Sequence, residues 1–307
     1  MPLHPQAEAF IHRMVEERVP QYNELTPTEA RMWEMKIVMI LNSRKEEVGK
    51  VENLQIDMGR KIPIRVYTPI TKSRALPIVY FHGGGWVVGN LDQVDLPCRL
   101  LANGTQHVVI SVDYRLAPEH KFPAAPEDCY AAAKWVSENN VRFGATSRED
   151  KQIIVCGDSA GGNLASIVSM MAHDHHEPTI TTQVLVYPVT DLGYEYRNFP
   201  DELSPALTQR DLQWFINHYV KEPTDAQNEY ASPLLRANPY GLPPTIIITA
   251  EYDILTQQCN AYANKLKNVG VQVRIEHFKG MVHGFFTLPD MFDAASDVIR
   301  VLSNELP

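Results

Sequence analysis

The chain is short of cysteine, of positive charge and of long apolar runs, and each shortage removes a class of function. Its four cysteines, Cys98, Cys129, Cys156 and Cys259, are separated by 31, 27 and 103 residues. That spacing fits neither paired zinc ligands nor the dense disulfide framework of a small secreted domain, so reduced thiols are expected. Lys and Arg total 28 against 37 Asp and Glu, a formal net charge of −9. Such a surface repels phosphate backbones, so no nucleic-acid partner is expected. No stretch approaches the ~18 consecutive apolar residues that cross a bilayer, and Met1 to Gln6 does not open a basic and then apolar leader. The expectation is a cytoplasmic protein without a membrane span. The dinucleotide fingerprint Gly-x-Gly-x-x-Gly and the Walker Gly-Lys-Ser/Thr are both missing, which argues against a phosphate-bearing cofactor.

What is present suits a folding chain. Of 307 residues 44% are apolar and 21% charged, ordinary usage for a globular protein of one large or two smaller domains. The first fifty residues carry helical spacing, with Phe10, Met14 and Val15 first, then Thr26-Pro27-Thr28-Glu29 as a capping box. Behind that cap Ala30, Trp33, Ile37 and Leu41 share one helical face, and Met32, Met35 and Met39 another, which is either core or the lining of an adaptable pocket. From Val51 the period changes to two, with Ile62, Ile64 and Val66 alternating with Pro63, Arg65 and Tyr67. Short β-branched runs follow at 77–81, 108–112, 152–156, 183–187, 245–249 and 271–275, interleaved with helical stretches near 96–102, 127–139, 159–173, 257–267 and 291–303. This alternation predicts an α/β fold, a mostly parallel sheet covered by helices on both faces. The interval 188–243 is too long for a simple crossover. It carries one helical segment at 209–219 and reads as an excursion that joins the N-terminal helices as a lid.

The chemistry concentrates in a few motifs. The strand ending at Cys156 runs straight into Gly157-Asp158-Ser159-Ala160-Gly161-Gly162, with a helical pattern behind. Gly-x-Ser-x-Gly in that setting makes a sharp strand-to-helix turn that exposes the Ser159 hydroxyl at the end of the sheet. A hydroxyl attacks only when a base takes its proton, and the base needs an acid to orient it. Later in the chain, Asp253 follows the strand at 245–250 and His283 follows the one at 271–278. Glu251 is the rival acid, but its longer arm sits nearer the strand end. Acyl chemistry also needs donors for an oxyanion. Phe81-His82-Gly83-Gly84-Gly85-Trp86 offers bare backbone directly after a strand, and the N–H of Ala160 adds another.

Taken together, His82-Gly83-Gly84-Gly85-Trp86, Tyr114-Arg115-Leu116-Ala117-Pro118-Glu119-His120, Phe122-Pro123-Ala124-Ala125, Gly157-Asp158-Ser159-Ala160-Gly161-Gly162 and Val282-His283-Gly284-Phe285 resemble the hormone-sensitive-lipase group of bacterial α/β-hydrolase esterases. The resemblance spans about residues 50–300. It implies an eight-stranded α/β-hydrolase core at 51–187 and 236–307, with a helical cap built from 1–50 and the insertion 188–235. It implies a serine carboxylesterase acting on short- to medium-chain acyl esters, without cofactor or metal, through Ser159 as nucleophile, His283 as base and acid and Asp253 as orienter. Gly84, Gly85 and Ala160 would form the oxyanion hole. One departure stands out: where the group commonly has a second acidic pair, this chain has Gln257-Gln258, expected to touch helix-start electrostatics or dimer contacts.

Other features read as structural. His173, Asp174, His175 and His176 close a helix and lack spaced partners for a metal, and Tyr114-Arg115 is expected to hold the oxyanion loop. An imidazole ordinarily titrates near ~6.5, so activity resting on His283 should fall below about that pH. A small-ligand receptor on the same fold and an amidase or peptidase for small acyl amides are the rival readings. If the chain pairs with itself, the open sheet edge near 271–278 is where a homodimer would form.

Overall fold

The computed structural model describes residues 2–71, 76–145, 147, 151–195, 200 and 203–307. Its centre is an eight-stranded sheet in the order β1-β2-β4-β3-β5-β6-β7-β8, formed by Lys50–Asp57, Lys61–Thr68, Ile78–Phe81, Val109–Val112, Gln152–Asp158, Thr179–Val186, Thr245–Tyr252 and Val273–Val282 for β1 to β8. Strand β2 runs antiparallel to both β1 and β4, and the remaining pairs are parallel.

The apolar runs are nearly continuous because both faces of the sheet are covered. On β3, Val79 and Phe81 enter one core cluster while Ile78 and Tyr80 enter the other. On β7, Ile247 faces the first cluster and Ile246 and Ile248 the second. The first is closed by helices α4 (Ala124–Glu138), the short α5 (Asn140–Phe143), α6 (Ala160–His175) and α8 (Thr256–Asn268), the second by α3 (Asp95–Thr105) and α9 (Ala294–Glu305). Each fully buried Val, Ile, Leu or Phe in these layers contributes about 2 kcal/mol relative to exposure. All four cysteines are buried and free.

Ahead of the sheet stand α1 (Pro5–Glu16) and α2 (Pro27–Leu41). The capping box on α2 forms as the sequence predicts: Glu29 N–H donates to Thr26 Oγ1 at 3.3 Å, and Thr26 N–H to Glu29 Oε2 at 2.9 Å. Helix α1 packs on the second cluster through Ala7 and Phe10, with His4 N–H on Gly280 O at 3.0 Å and Phe10 edge-on to Phe292 at 5.5 Å. The methionine face of α2 is neither core nor sealed pocket. Met32 and Met39 are 61% and 71% exposed, and only Met35 reaches a cavity wall.

The excursion after β6 carries α7 (Gln209–Tyr219), which meets the segment between α1 and α2. Asn23 donates to Asp211 Oδ1 from its backbone N at 3.1 Å and its side chain at 3.0 Å, and Tyr22 packs on Phe215 with ring centroids 4.8 Å apart. Residues 196–199 and 201–202 of the predicted lid lie outside the described residues. Both ends of the excursion are stitched to the sheet's helices. Asn163 Nδ2 donates to Val189 O and Ala231 O, each at 2.9 Å. Gln258 Oε1 accepts the N–H groups of Thr190 and Asp191. Gln258 is fully buried, so its task is to hold the start of the excursion rather than a helix start or a subunit contact, and a neutral amide oxygen suffices for it.

Candidate active site

Ser159 stands between β5 and α6 with φ 53° and ψ −118°, a backbone region that a side chain occupies only when its surroundings enforce it. The enforcement comes from close backbone packing. A Cβ on Gly161 would lie 1.9 Å from Phe81 O, and one on Gly157 would lie 2.2 Å from Gly161 O, so only glycine fits either place. The helix predicted from 159 begins at Ala160, and Ser159 serves as the residue ahead of its first turn, at the positive end of the α6 dipole.

His283 follows β8 and Asp253 follows β7, and the two meet over Ser159. His283 Nε2 lies 2.9 Å from Ser159 Oγ and His283 Nδ1 lies 2.8 Å from Asp253 Oδ2. A carboxylate only accepts, so the ring donates from Nδ1 and presents its Nε2 lone pair to the hydroxyl. Asp253 is 1% exposed, and its other oxygen accepts the Leu255 N–H at 2.9 Å. The Tyr187 ring, fully buried, packs 4.6 Å from the imidazole and limits its tilt. Glu251 turns elsewhere: its Oε2 accepts the Gly280 N–H at 2.7 Å, which holds its carboxyl below the usual range.

The glycine loop after β3 is fixed from behind. Gly83 N–H donates to Asp158 Oδ1 at 3.0 Å, and the same oxygen accepts the Tyr80 hydroxyl. Burial pushes the Asp158 carboxyl up to about 6, against the hydrogen bonds from Tyr80 and Gly83 and the nearby His283, which all favour its charge. Tyr114 stacks on His82 at 4.3 Å and its hydroxyl donates to His82 O at 2.7 Å, the loop-holding part expected of it. Arg115 instead binds Asp128 on α4 through Nε at 2.9 Å. Burial drives the His82 imidazole down to about 4, so it is neutral packing. Gly84 and Gly85 have φ 105° and 55°. Among the described residues no acceptor takes the N–H groups of Gly84, Gly85 or Ala160, so these three donors remain for a ligand. A Cβ on Gly85 would enter the Phe215 ring at 2.1 Å, which ties the loop to α7.

A family model described as alpha/beta hydrolase fold matches residues 78–287. The chain belongs to the α/β-hydrolase family. Within it, the chain stands among the hormone-sensitive-lipase-like carboxylesterases. It is 38% identical over 248 residues to carboxylesterase NlhH of Mycobacterium tuberculosis, covering 77% of this chain and 75% of the relative. It is 32% identical to an arylesterase of Saccharolobus solfataricus, covering 94% of each. A solved hyperthermophilic esterase from Pyrobaculum calidifontis superposes with a TM-score of 0.91 at 37% identity, covering 99% of this chain and 97% of that one.

Three features of this α/β-hydrolase are not evident from sequence. Asp158 braces the glycine loop, and its carboxylate between Gly157 and Ser159 on an otherwise apolar strand was the available signal. Arg31 clamps α2 to the loop region, with Nε on Val87 O and Nη2 on Ala117 O, each at 2.8 Å, and a two-pronged pair to Glu119. Glu34 accepts the Tyr22 hydroxyl beneath α7, and nothing local marks it. A cavity of about 520 Å³ beside the loop is lined by Arg31, Met35, Gly89, Asn90, Tyr114 and Leu116 among others. The histidines closing α6 hold no metal-like cluster among the described residues; Asp174 there binds Arg236 at 2.5 Å. No helix of the described residues is long and apolar enough to cross a membrane.

Proposed function

We propose that this carboxylic ester hydrolase cleaves short- to medium-chain acyl esters through a covalent acyl-enzyme on Ser159. His283 Nε2 takes the hydroxyl proton as Ser159 Oγ attacks the ester carbonyl, and Asp253 stabilises the imidazolium that results. The N–H groups of Gly84, Gly85 and Ala160 meet the oxyanion of the tetrahedral intermediate, where each such donor is worth roughly 3 kcal/mol. His283 then gives the proton to the leaving alcohol, and afterwards draws one from the water that releases the acid. The uninterrupted chain of contacts from Ser159 Oγ through His283 to Asp253, at 2.9 and 2.8 Å, carries this reading.

The segment preceding α2, α2 itself and the part of 188–235 around α7 act as the cap that closes over the acyl and alcohol groups. The contacts of Tyr22 and Asn23 with α7 support that division. A cytoplasmic setting fits four buried free thiols. A homodimer through the β8 edge fits a strand whose second side pairs with no other strand among the described residues, and light scattering tests it. The experiment for the main reading is a nitrophenyl acyl ester series with Ser159→Ala as control. Release must exceed the control and must peak among the shorter chains; release equal to that control at every chain length refutes it.

A further inference from the structure

Glu34 is a carboxylate placed where ester chemistry alone needs none. It sits on α2, three residues beyond the Arg31 that clamps this helix to the glycine loop. It lies near enough to Asp158, the residue before Ser159, to feel its charge. Its one partner among the described residues is the Tyr22 hydroxyl, donated to Oε2. The cations nearby are committed elsewhere: Arg31 to Glu119 and two backbone carbonyls, and Lys36 over the Trp33 ring. Tyr22 itself packs 4.8 Å from Phe215 and 6.3 Å from Trp214, and Phe215 in turn lies against Gly85 of the glycine loop.

From this arrangement we infer that Glu34, with the rings of Tyr22, Trp214 and Phe215, is a specificity-determining subsite for esters that carry an onium group, a quaternary or protonated amine. The inference rests on the proposed ester hydrolysis at Ser159 and names its preferred substrates. A carboxylate without a cationic partner attracts a cation, and neighbouring aromatic rings add to that attraction, since ring quadrupoles and carboxylate charge act with the same sign. Burial raises the Glu34 carboxyl, while the Tyr22 hydroxyl opposes that rise. A bound cation favours the ionised form against that burial, so the subsite sharpens when occupied. An anionic substituent meets the opposite field.

The test compares isosteric pairs in full-length wild type, Glu34→Gln and Glu34→Lys. On the alcohol side the pair is choline butyrate and 3,3-dimethylbutyl butyrate. On the acyl side it is the ethyl esters of 4-(trimethylammonio)butyrate and 5,5-dimethylhexanoate. In wild type the charged member of at least one pair is preferred in kcat/KM. Glu34→Gln reduces that preference about tenfold while hydrolysis of the neutral member changes less than twofold, and Glu34→Lys reverses it. If both ratios stay within twofold of wild type in either variant, the inference is overturned. Failure of the underlying reading looks different: the neutral esters are then not cleaved faster than by Ser159→Ala.

Discussion

Gly84→Ala separates the electrostatic part of this active site from its packing. A Cβ there would lie 2.3 Å from Val88 O and 2.7 Å from Val88 C. Both are backbone atoms, so no rotamer change relieves the contact, and the loop must shift by about 0.7 Å to restore the closest approach real Cβ atoms show. Alanine at φ 105° adds backbone strain of about 1–2 kcal/mol. The shifted N–H no longer aims at the position of the oxyanion, which costs roughly 3 kcal/mol in the transition state and so about 100-fold in kcat with little change in KM. Gly59→Ala is the control. Gly59, on the turn between β1 and β2, also has positive φ, 82°, but a Cβ there would meet nothing within 4 Å. It should lose about 1 kcal/mol of stability and keep its kcat within twofold. Urea titration gives the stability of each variant and nitrophenyl butyrate turnover the rate. Gly84→Ala with kcat within threefold of wild type would refute the assignment of its N–H to the oxyanion.

Other expectations follow from the same geometry. Asp158 has a folded-state value of about 6, above the ~3.8 of an exposed aspartate. Between those values the unfolded chain ionises first and binds fewer protons, so stability falls as pH rises through that window. Asp158→Asn removes the effect. Its stability relative to wild type should rise by up to about 3 kcal/mol between roughly pH 4 and pH 7, and a difference independent of pH would contradict the raised value. Gln258→Leu leaves the N–H groups of Thr190 and Asp191 without their buried acceptor, so it should cost about 2–4 kcal/mol by urea denaturation; a loss below ~0.5 kcal/mol would show that the clamp is dispensable. Arg31→Ala frees two carbonyls and Glu119. It should raise proteolytic cleavage within α2 several-fold, and protection equal to wild type would mean that other contacts hold the helix.

Much of this fold was legible because the relevant signals are local. Period-two alternation at Ile62, Ile64 and Val66 and the β-branched runs reported strands whose residues do divide between two cores. Thr26 and Glu29 announced a cap that forms. The turn around Ser159 was readable because only glycine satisfies its close approaches. What stayed hidden depends on contacts across the chain. Met32 and Met39 have the spacing of a buried face, yet α2 turns them outward because Ala30 and Leu41, with Ile37 and Val38 packed beside Leu41, already fill its inner face. Gln258 gives no hint in sequence that residues 67 and 68 positions away need its oxygen. The pairing of Tyr22 with Glu34 likewise arises only when the segment before α2 folds back under α7.

That Ser159 is a nucleophile activated by His283 is tested most squarely by covalent trapping with an alkyl fluorophosphonate, read by intact mass and peptide mapping. Wild type should gain one phosphonyl group, confined to Ser159. Labelling should vanish in Ser159→Ala and slow at least ~100-fold in His283→Ala. A label on another residue, or equal labelling rates with and without the imidazole, would contradict both assignments.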